Sequence, residues 1–248
     1  NGRRMNLIFR LFNDGLGFRY EFPAQENMIV AKIMEENTEF CLAGDHECWW
    51  APGDWDIYEH LYTHSLFSEI DALSKRGHPN LAQTYIPFNA VNTPITMKTS
   101  DGIYLSFHEA MLEDYSDMTL GIDSSGLKMK SILVGTERRP YKVERELPFV
   151  SPWRTIMVSE RAGGLIESNL ITNLNDECCL EDISWIKPAK YCGIWWEMHL
   201  GISSWAKEGG RHGATTAHAK EMIDFAAENG LQAVLVEGWN TGWEHWIG

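Results

Sequence analysis

The sequence predicts a chain of mixed class, in which a β-sandwich is followed by the beginning of an α/β domain. Residues 1–160 contain short runs of alternating apolar and polar residues, separated by frequent turn signals, which is typical of a sandwich. From about Trp185 the pattern changes to strand, helix and strand, which indicates a βαβ unit with parallel strands. The 248 residues are enough for one large domain or two ordinary ones.

Two hairpins support the prediction of β structure. The first joins LIFRLF to FRYEF through a turn at 13–15 with the sequence Asn-Asp-Gly, because these residues favour tight turns. The second lies in TPITMKTSDGIYLSFHEAML, with Ser-Asp-Gly at 100–102 as its turn. Further strand candidates are LKMKSILVG and PWRTIMVSE.

The α/β prediction rests on a strand in YCGIWWE, a helix in HGATTAHAKEMIDFAAENG and a second, fully apolar strand in LQAVLVE. The apolar stripe at helical spacing consists of Ala219, Met222, Ile223 and Ala226. Thr215 or Thr216 can cap the start of this helix, and Gly230 suits the left-handed position after its end. A single βαβ unit leaves both sheet edges unpaired, so we expect the chain to be a piece of a longer protein.

Composition narrows the classes of function. The net charge of -14 argues against a protein that binds nucleic acid through backbone phosphates. No run reaches the roughly 18 apolar residues of a membrane span, so no membrane insertion is expected. The eleven tryptophans offer flat apolar faces for sugar rings, although core packing explains any one of them equally well. The five cysteines lack zinc-binding spacing and indicate mostly free thiols.

Three strings in the α/β part resemble glycoside hydrolase family 97, the bacterial α-glucosidases and α-galactosidases. They are GIWWEMHLGISSW, RHGATTAHAKEMIDFAAENG and VLVEGWNTGWEHW. Earlier strings resemble the amino-terminal domain of the same family: RLFNDGLGFRYEF, WWAPGDWDIYEHLY and YLSFHEAMLEDY. The resemblance covers nearly the whole chain, in order.

The resemblance implies an amino-terminal β-sandwich followed by a catalytic (β/α)8 TIM barrel. On that template residues 1–160 are the carboxyl-terminal part of the sandwich, 161–190 are a linker and 191–248 begin the barrel. The predicted fold class is therefore multidomain β plus α/β, with a partial β-sandwich domain followed by the first βαβ unit of a truncated (β/α)8 barrel.

The resemblance also implies a calcium-dependent, exo-acting α-glycosidase of the periplasm, which hydrolyses terminal α-linked glucose or galactose from oligosaccharides. The family's catalytic carboxylates lie on later strands, beyond Gly248, so no catalytic residue is assigned and the fragment alone is expected to be inactive. The alternative is a non-catalytic carbohydrate-binding or scaffold protein built on the sandwich. The βαβ segment argues against it, because a binding module has no use for two barrel strands.

Candidate substrate contacts follow the two predicted barrel strands, where barrel enzymes place their chemistry. They are Glu197 after the first strand, and Glu237, Trp239, Asn240 and Trp243 after the second. An aromatic face, an amide and a carboxylate are the groups that a sugar needs, and the resemblance singles out Trp239. The two glutamates could form an acid/base pair, but the preferred interpretation is that they anchor loops.

Glu109, in SFHEAML, is the predicted metal ligand. The resemblance implies a calcium ion at the active site that takes one glutamate from the sandwich domain. Calcium takes about 6–8 oxygen ligands, so the remaining ligands would be barrel glutamates outside this chain. The alternative for Glu109 is a solvated glutamate at the end of a strand.

Overall fold

The computed structural model describes residues 2–77, 84–136 and 138–236. The chain divides into two compact units between Glu177 and Cys178. The first unit includes two short helices, α1 (Ala162–Glu167) and α2 (Leu170–Leu174), which lie in the segment where the sequence predicted a linker. Leu170 and Leu174 are buried against Trp153, and this packing explains why the first unit continues past residue 160.

The first unit is built from antiparallel strands. In chain order, its described strands are β1 (Asn6–Phe12), β2 (Gly15–Phe22), β3 (Val30–Ile33), β4 (Glu39–Cys41), β5 (Glu47–Trp50), β6 (Thr63–Leu66), β7 (Ala90–Val91), β8 (Ile95–Lys98), β9 (Tyr104–Ala110), β10 (Met118–Asp123), β11 (Lys128–Leu133), β12 (Val143–Glu146), β13 (Phe149–Val150) and β14 (Trp153–Ser159). The larger sheet has the order β1-β2-β14-β9-β8-β5-β6, with β13 beside β2. The smaller sheet has the order β4-β11-β10-β7, and β3 pairs with β12 in a separate ribbon.

The core lies between the larger and the smaller sheet. Phe40 of β4 contacts Phe107 of β9 with 5.3 Å between ring centroids, and Phe18 of β2 at 6.1 Å. Side chains of the two inner faces interdigitate in this way in sandwiches. Other buried members of the same cluster are Trp50, Phe67, Ile95, Met97, Met118, Leu120 and Met129. The predicted β-sandwich is confirmed.

Both predicted hairpins are present. Strands β1 and β2 pair antiparallel with Phe12 opposite Gly15, and β8 pairs antiparallel with β9. Gly15 has φ +146°, and a Cβ atom there would lie 2.2 Å from the carbonyl oxygen of Ile156. The close approach of β14 therefore requires glycine at this turn.

The second unit contains the predicted βαβ arrangement. Strands β15 (Tyr191–Gly193) and β16 (Ala233–Leu235) pair in parallel. Between them lies α4 (Thr216–Glu228), whose first turn is capped by the Thr215 hydroxyl, which accepts a hydrogen bond from the His218 amide. Gly230 has φ +67° just past the helix, as predicted.

Three details of the second unit differ from the prediction. The first strand ends at Gly193, and the residues expected to continue it form a short helix, α3 (Trp195–His199). In the predicted apolar stripe of α4, Ala226 is buried but Ile223 is exposed. Strand β16 is only partly buried. The reason is geometric, since two strands and one helix bury little of each other's surface.

Candidate functional site

The carboxyl edge of the parallel pair holds Glu197 in a hydrogen-bonded cluster. Ser203 Oγ donates to Glu197 Oε2 at 2.7 Å, and His218 Nε2 lies 2.9 Å from Glu197 Oε1. The other ring nitrogen, His218 Nδ1, lies 3.1 Å from Glu221 Oε2. Carboxylates only accept hydrogen bonds, so both ring nitrogens must donate, and His218 is then an imidazolium.

The electrostatics of the cluster agree with a charged His218. The hydrogen bond to Glu221, together with the charge of Glu197, raises the pKa of His218 above its ordinary value, although partial burial opposes the shift. Glu197 thus has a donor on each carboxylate oxygen. This arrangement favours the interpretation of Glu197 as a loop anchor.

Local chain geometry brings these side chains together. The chain leaves β15 at its carboxyl end, passes through α3 and a loop, and enters α4 at the same edge. Ser204 forms a parallel β-bridge with His212 in that loop. Gly213 lies so close that a Cβ atom there would be 2.6 Å from Ser203 Cβ. The loop can therefore close on Glu197 only with glycine at this position.

Aromatic side chains flank Glu197 in the sequence of α3. Trp195 contacts Trp196 edge-on with 4.4 Å between ring centroids, and His199 at 4.1 Å. Trp196 is exposed and offers an apolar face of the kind on which a sugar ring stacks. Four other predicted substrate contacts lie outside the described residues: Glu237, Trp239, Asn240 and Trp243.

His218 was not among the predicted site residues. Its position in the sequence could have identified His218 as a site residue, because it lies in the first turn of a helix that follows a barrel strand. Such helices start at the edge where the preceding strand ends, so a histidine there lies near a strand-end carboxylate.

We expect His218 to titrate above its ordinary pKa of about 6.5 in the 248-residue chain. The pKa of His218 is higher in the folded state than in the unfolded state. The stabilisation by this cluster is therefore complete below about pH 6.5 and is lost as the pH rises through the pKa of folded His218. A histidine NMR titration measures the shift. Glu197→Gln should lower the pKa of His218, whereas Glu228→Gln, at the exposed far end of α4, should not. An unchanged pKa in Glu197→Gln would show that the pair does not form in solution.

Glu109, the predicted metal ligand, lies inside the sandwich unit. It belongs to β9 and is buried, so the alternative of a solvated glutamate is wrong. Arg154 Nη1 donates to Glu109 Oε2 at 2.5 Å, and the backbone N–H of Met118 donates to Oε1 at 3.0 Å. Both carboxylate oxygens therefore have donors, one from β14 in the same sheet and one from β10 in the smaller sheet.

Arg154 joins Glu109 to a second buried carboxylate. Its Nε and Nη2 atoms donate to Glu36 Oε1 and Oε2 at 2.7 and 2.6 Å, and Thr38 Oγ1 also donates to Glu36 at 2.8 Å. One guanidinium thus serves two carboxylates. Burial raises the pKa of Glu109 to about 6, and the charge of Arg154 opposes this rise.

The described residues do not form a calcium site. Among them, no group of three or more His, Cys, Asp and Glu side chains could hold a metal ion. Calcium requires about 6–8 oxygen ligands, whereas Glu109 lies in an ion pair with Arg154. In this structure Glu109 acts as a counter-ion of Arg154.

The sequence analysis did not single out Arg154 or Glu36. A signal for Arg154 was present, since an arginine interrupts the apolar run of the strand candidate PWRTIMVSE. A charged residue on the inner face of a sandwich strand needs a buried partner. The partner Glu36 lies 118 residues earlier in sequence, and no local pattern connects the two.

Comparison with known proteins gives matches along the chain. The model described as "Glycosyl-hydrolase 97 N-terminal" matches residues 1–176, and "Glycoside hydrolase 97" matches residues 195–248. A retaining α-galactosidase from Bacteroides thetaiotaomicron is 24% identical over 94% of the chain and 36% of its own length.

Solved structures are similar as well. A glycoside hydrolase family 97 enzyme from Pseudoalteromonas sp. strain K8 in complex with acarbose is 37% identical, with a TM-score of 0.78 over 97% of this chain. A variant of that enzyme in complex with panose gives a TM-score of 0.80. The chain spans 34% of the length of that protein. Among the described residues, the helices are too short or too polar to cross a membrane.

Proposed function

The chain belongs to glycoside hydrolase family 97, and we propose that the protein of which it is part is an exo-acting α-glycosidase. It would release terminal α-linked glucose or galactose from oligosaccharides. The observation that carries the proposal is the parallel pair β15–β16, which follows the sandwich in the chain and has polar and aromatic side chains at its carboxyl edge. That edge is where barrel enzymes act.

The similar proteins support both sugars. A variant of the 37% identical enzyme was solved with panose, an α-linked glucose trisaccharide, whereas a 24% identical relative is named an α-galactosidase. The greater identity favours glucose. Whether hydrolysis retains or inverts the anomeric configuration depends on the spacing of two catalytic carboxylates. We assign neither of these carboxylates to the 248 residues of this chain. Trp239, Asn240 and Trp243 remain proposed sugar contacts.

Calcium dependence and a periplasmic location are separate proposals that rest on the family resemblance alone. Any calcium site in the whole protein would take most of its ligands from outside the described residues. The oxygens of Glu109 accept hydrogen bonds from Arg154 and Met118. Glu109 would therefore have to give up one of these hydrogen bonds in order to bind calcium.

We expect the whole protein to hydrolyse nitrophenyl α-glucoside faster than nitrophenyl α-galactoside, and the 248-residue chain to hydrolyse neither. The chain alone is the control, because it has the strand-end residues but no assigned acid or nucleophile. Release of nitrophenol measures both rates, before and after chelation with EDTA and after addition of calcium. Activity of the 248-residue chain, or of neither form on any α-glycoside, would contradict the proposed function, and activity unchanged by EDTA would contradict only the calcium proposal.

A further inference from the structure

The outer face of the smaller sheet carries a cavity of about 700 Å³. Gly121 of β10 lies in this cavity, directly opposite Lys130 of β11. Their neighbours Leu120 and Met129 are buried in the core, and side chains alternate along a strand, so Gly121 and Lys130 lie on the face that points away from the core. The volume of the cavity is in the range of small-molecule sites, about 300–1,000 Å³.

Apolar groups form much of the lining of this cavity. A Cβ atom at Gly121 would lie 2.7 Å from Ile132 Cδ1, so the end of the Ile132 side chain occupies the space beside the glycine. Trp55 and Phe88 also line the cavity. Trp55 is half-buried and Phe88 is 44% exposed. Aromatic rings that are partly open to solvent offer apolar faces on which a sugar ring stacks.

A buried hydrogen-bond network holds Trp55 in place. The backbone N–H of Trp55 donates to the carbonyl oxygen of Thr84 at 3.0 Å. The preceding residue, Asp54, is buried, and its carboxylate accepts hydrogen bonds from the Thr84 amide at 3.1 Å and from His60 Nε2 at 2.9 Å. The Asp54 amide in turn donates to Asn92 Oδ1 at 3.0 Å. A ring on a backbone fixed in this way loses little freedom when a ligand binds.

Phe88 is fixed through its neighbour Asn89. The Asn89 side chain accepts a hydrogen bond from the Ala72 amide at 2.9 Å and donates to the carbonyl oxygen of Ile70 at 2.8 Å. The backbone carbonyl of Asn89 accepts from the amide of Ile122 in β10 at 2.9 Å. Each aromatic residue thus lies next to a residue that joins separate segments of the chain, so the two rings belong to a preformed surface.

The polar residues of the cavity include both signs of charge. Lys130 and Lys142 line it, and among the described residues neither forms an ion pair, whereas Lys128 Nζ lies 3.0 Å from Glu39 Oε1. The exposed carboxylate of Glu35 also lines the cavity. Hydrogen-bond donors and acceptors beside aromatic faces suit a neutral ligand with many hydroxyl groups better than an anion or a purely apolar molecule.

We propose that this cavity is a second, non-catalytic site for an oligosaccharide of α-linked glucose. Sugar rings stack on Trp55 and Phe88, and sugar hydroxyls form hydrogen bonds with Lys130, Lys142 and Glu35. The site consists of residues of the sandwich unit alone and shares none with the carboxyl edge of β15 and β16. The choice of α-linked glucose rests on the proposed function, whereas the site itself does not require hydrolysis.

Titration of the 248-residue chain with maltotriose, followed by NMR and calorimetry, tests the proposal. We expect the indole N–H signal of Trp55, assigned by its loss in Trp55→Phe, to shift as maltotriose binds. Trp55→Ala should raise the Kd about tenfold or more through the loss of stacking, and Trp55→Phe should raise it less, because an aromatic face remains. Tyr62→Ala removes an exposed ring that does not line the cavity and should leave the Kd unchanged.

Phe88→Ala changes a more exposed ring and is the second variant, which keeps the test valid if Trp55→Ala does not fold. It should also raise the Kd for maltotriose. Absence of binding, an unshifted Trp55 signal, or a Kd in Phe88→Ala equal to that in Tyr62→Ala would overturn the proposal.

Hydrolysis by the whole protein separates this site from the proposed function. A whole protein that hydrolyses no α-glycoside, beside a 248-residue chain that binds maltotriose at Trp55, would contradict the proposed function and support this site. Hydrolysis of nitrophenyl α-glucoside by the whole protein, without a shift of the Trp55 signal in the 248-residue chain, would contradict only this site.

Discussion

Arg154→Met is expected to destabilise the sandwich unit by about 3–5 kcal/mol, because it leaves two buried carboxylates without their counter-ion. Arg154 is 0% exposed and forms the ion pairs to Glu36 and Glu109. A methionine fills a similar volume but donates no hydrogen bond. Urea unfolding followed by far-UV circular dichroism measures the loss, and hydrogen exchange of β9 and β14 assigns it to the first unit.

Arg145→Met removes the same charge from the same unit and is the matched control. Arg145 pairs with Asp114, which is largely exposed, so the expected loss is at most about 1 kcal/mol. Arg154→Lys should fall between the two variants, since lysine keeps the charge but cannot form the bidentate pair with Glu36. Equal losses for the two methionine variants would show that the buried network contributes no more than a surface pair.

Trp153→Ala is expected to cost about 3–5 kcal/mol through the loss of packing. Trp153 is fully buried and lies beneath Leu170 and Leu174 of α2. The guanidinium groups of Arg10 and Arg19 lie 4.9 and 4.4 Å from its ring centroid, so both cations lose an aromatic face. We also expect α2 to detach, which hydrogen exchange over 170–174 would detect as faster exchange.

Tyr62→Ala is the control for the loss of an aromatic ring at the surface of the same unit. Tyr62 is exposed, and its removal should change the free energy of unfolding by less than about 0.5 kcal/mol. A loss in Trp153→Ala no larger than this would mean that α2 is not held to the sheet by Trp153.

The sequence predicted the fold well for elements that are determined by residues adjacent in the chain. The hairpin at Gly15 and the cap at Thr215 are both set by a few adjacent residues, and both are confirmed. The end of the first barrel strand was predicted too late, because Ile194 and the tryptophans after it are as apolar as a strand but begin a helix. Apolar character alone does not distinguish a short strand from a short helix.

The candidate site was harder to predict, because its contacts join distant parts of the chain. Glu197 was identified from its place after a strand, but its partner His218 lies 21 residues later. Glu109 was identified from its motif, whereas its burial depends on Arg154, 45 residues away. Pairings of this kind depend on the order of strands in a sheet, which the spacing of residues does not specify.

The central claim is that β15, α4 and β16 are the first βαβ unit of a barrel whose carboxyl edge binds a sugar. A crystal structure of the whole protein with a bound α-linked glucose oligosaccharide tests it most directly. We expect β15 and β16 to be adjacent parallel strands of an eight-stranded barrel, with a sugar ring within about 4 Å of a side chain that follows one of them. A sugar bound only elsewhere, or the two strands apart in a different fold, would contradict the claim.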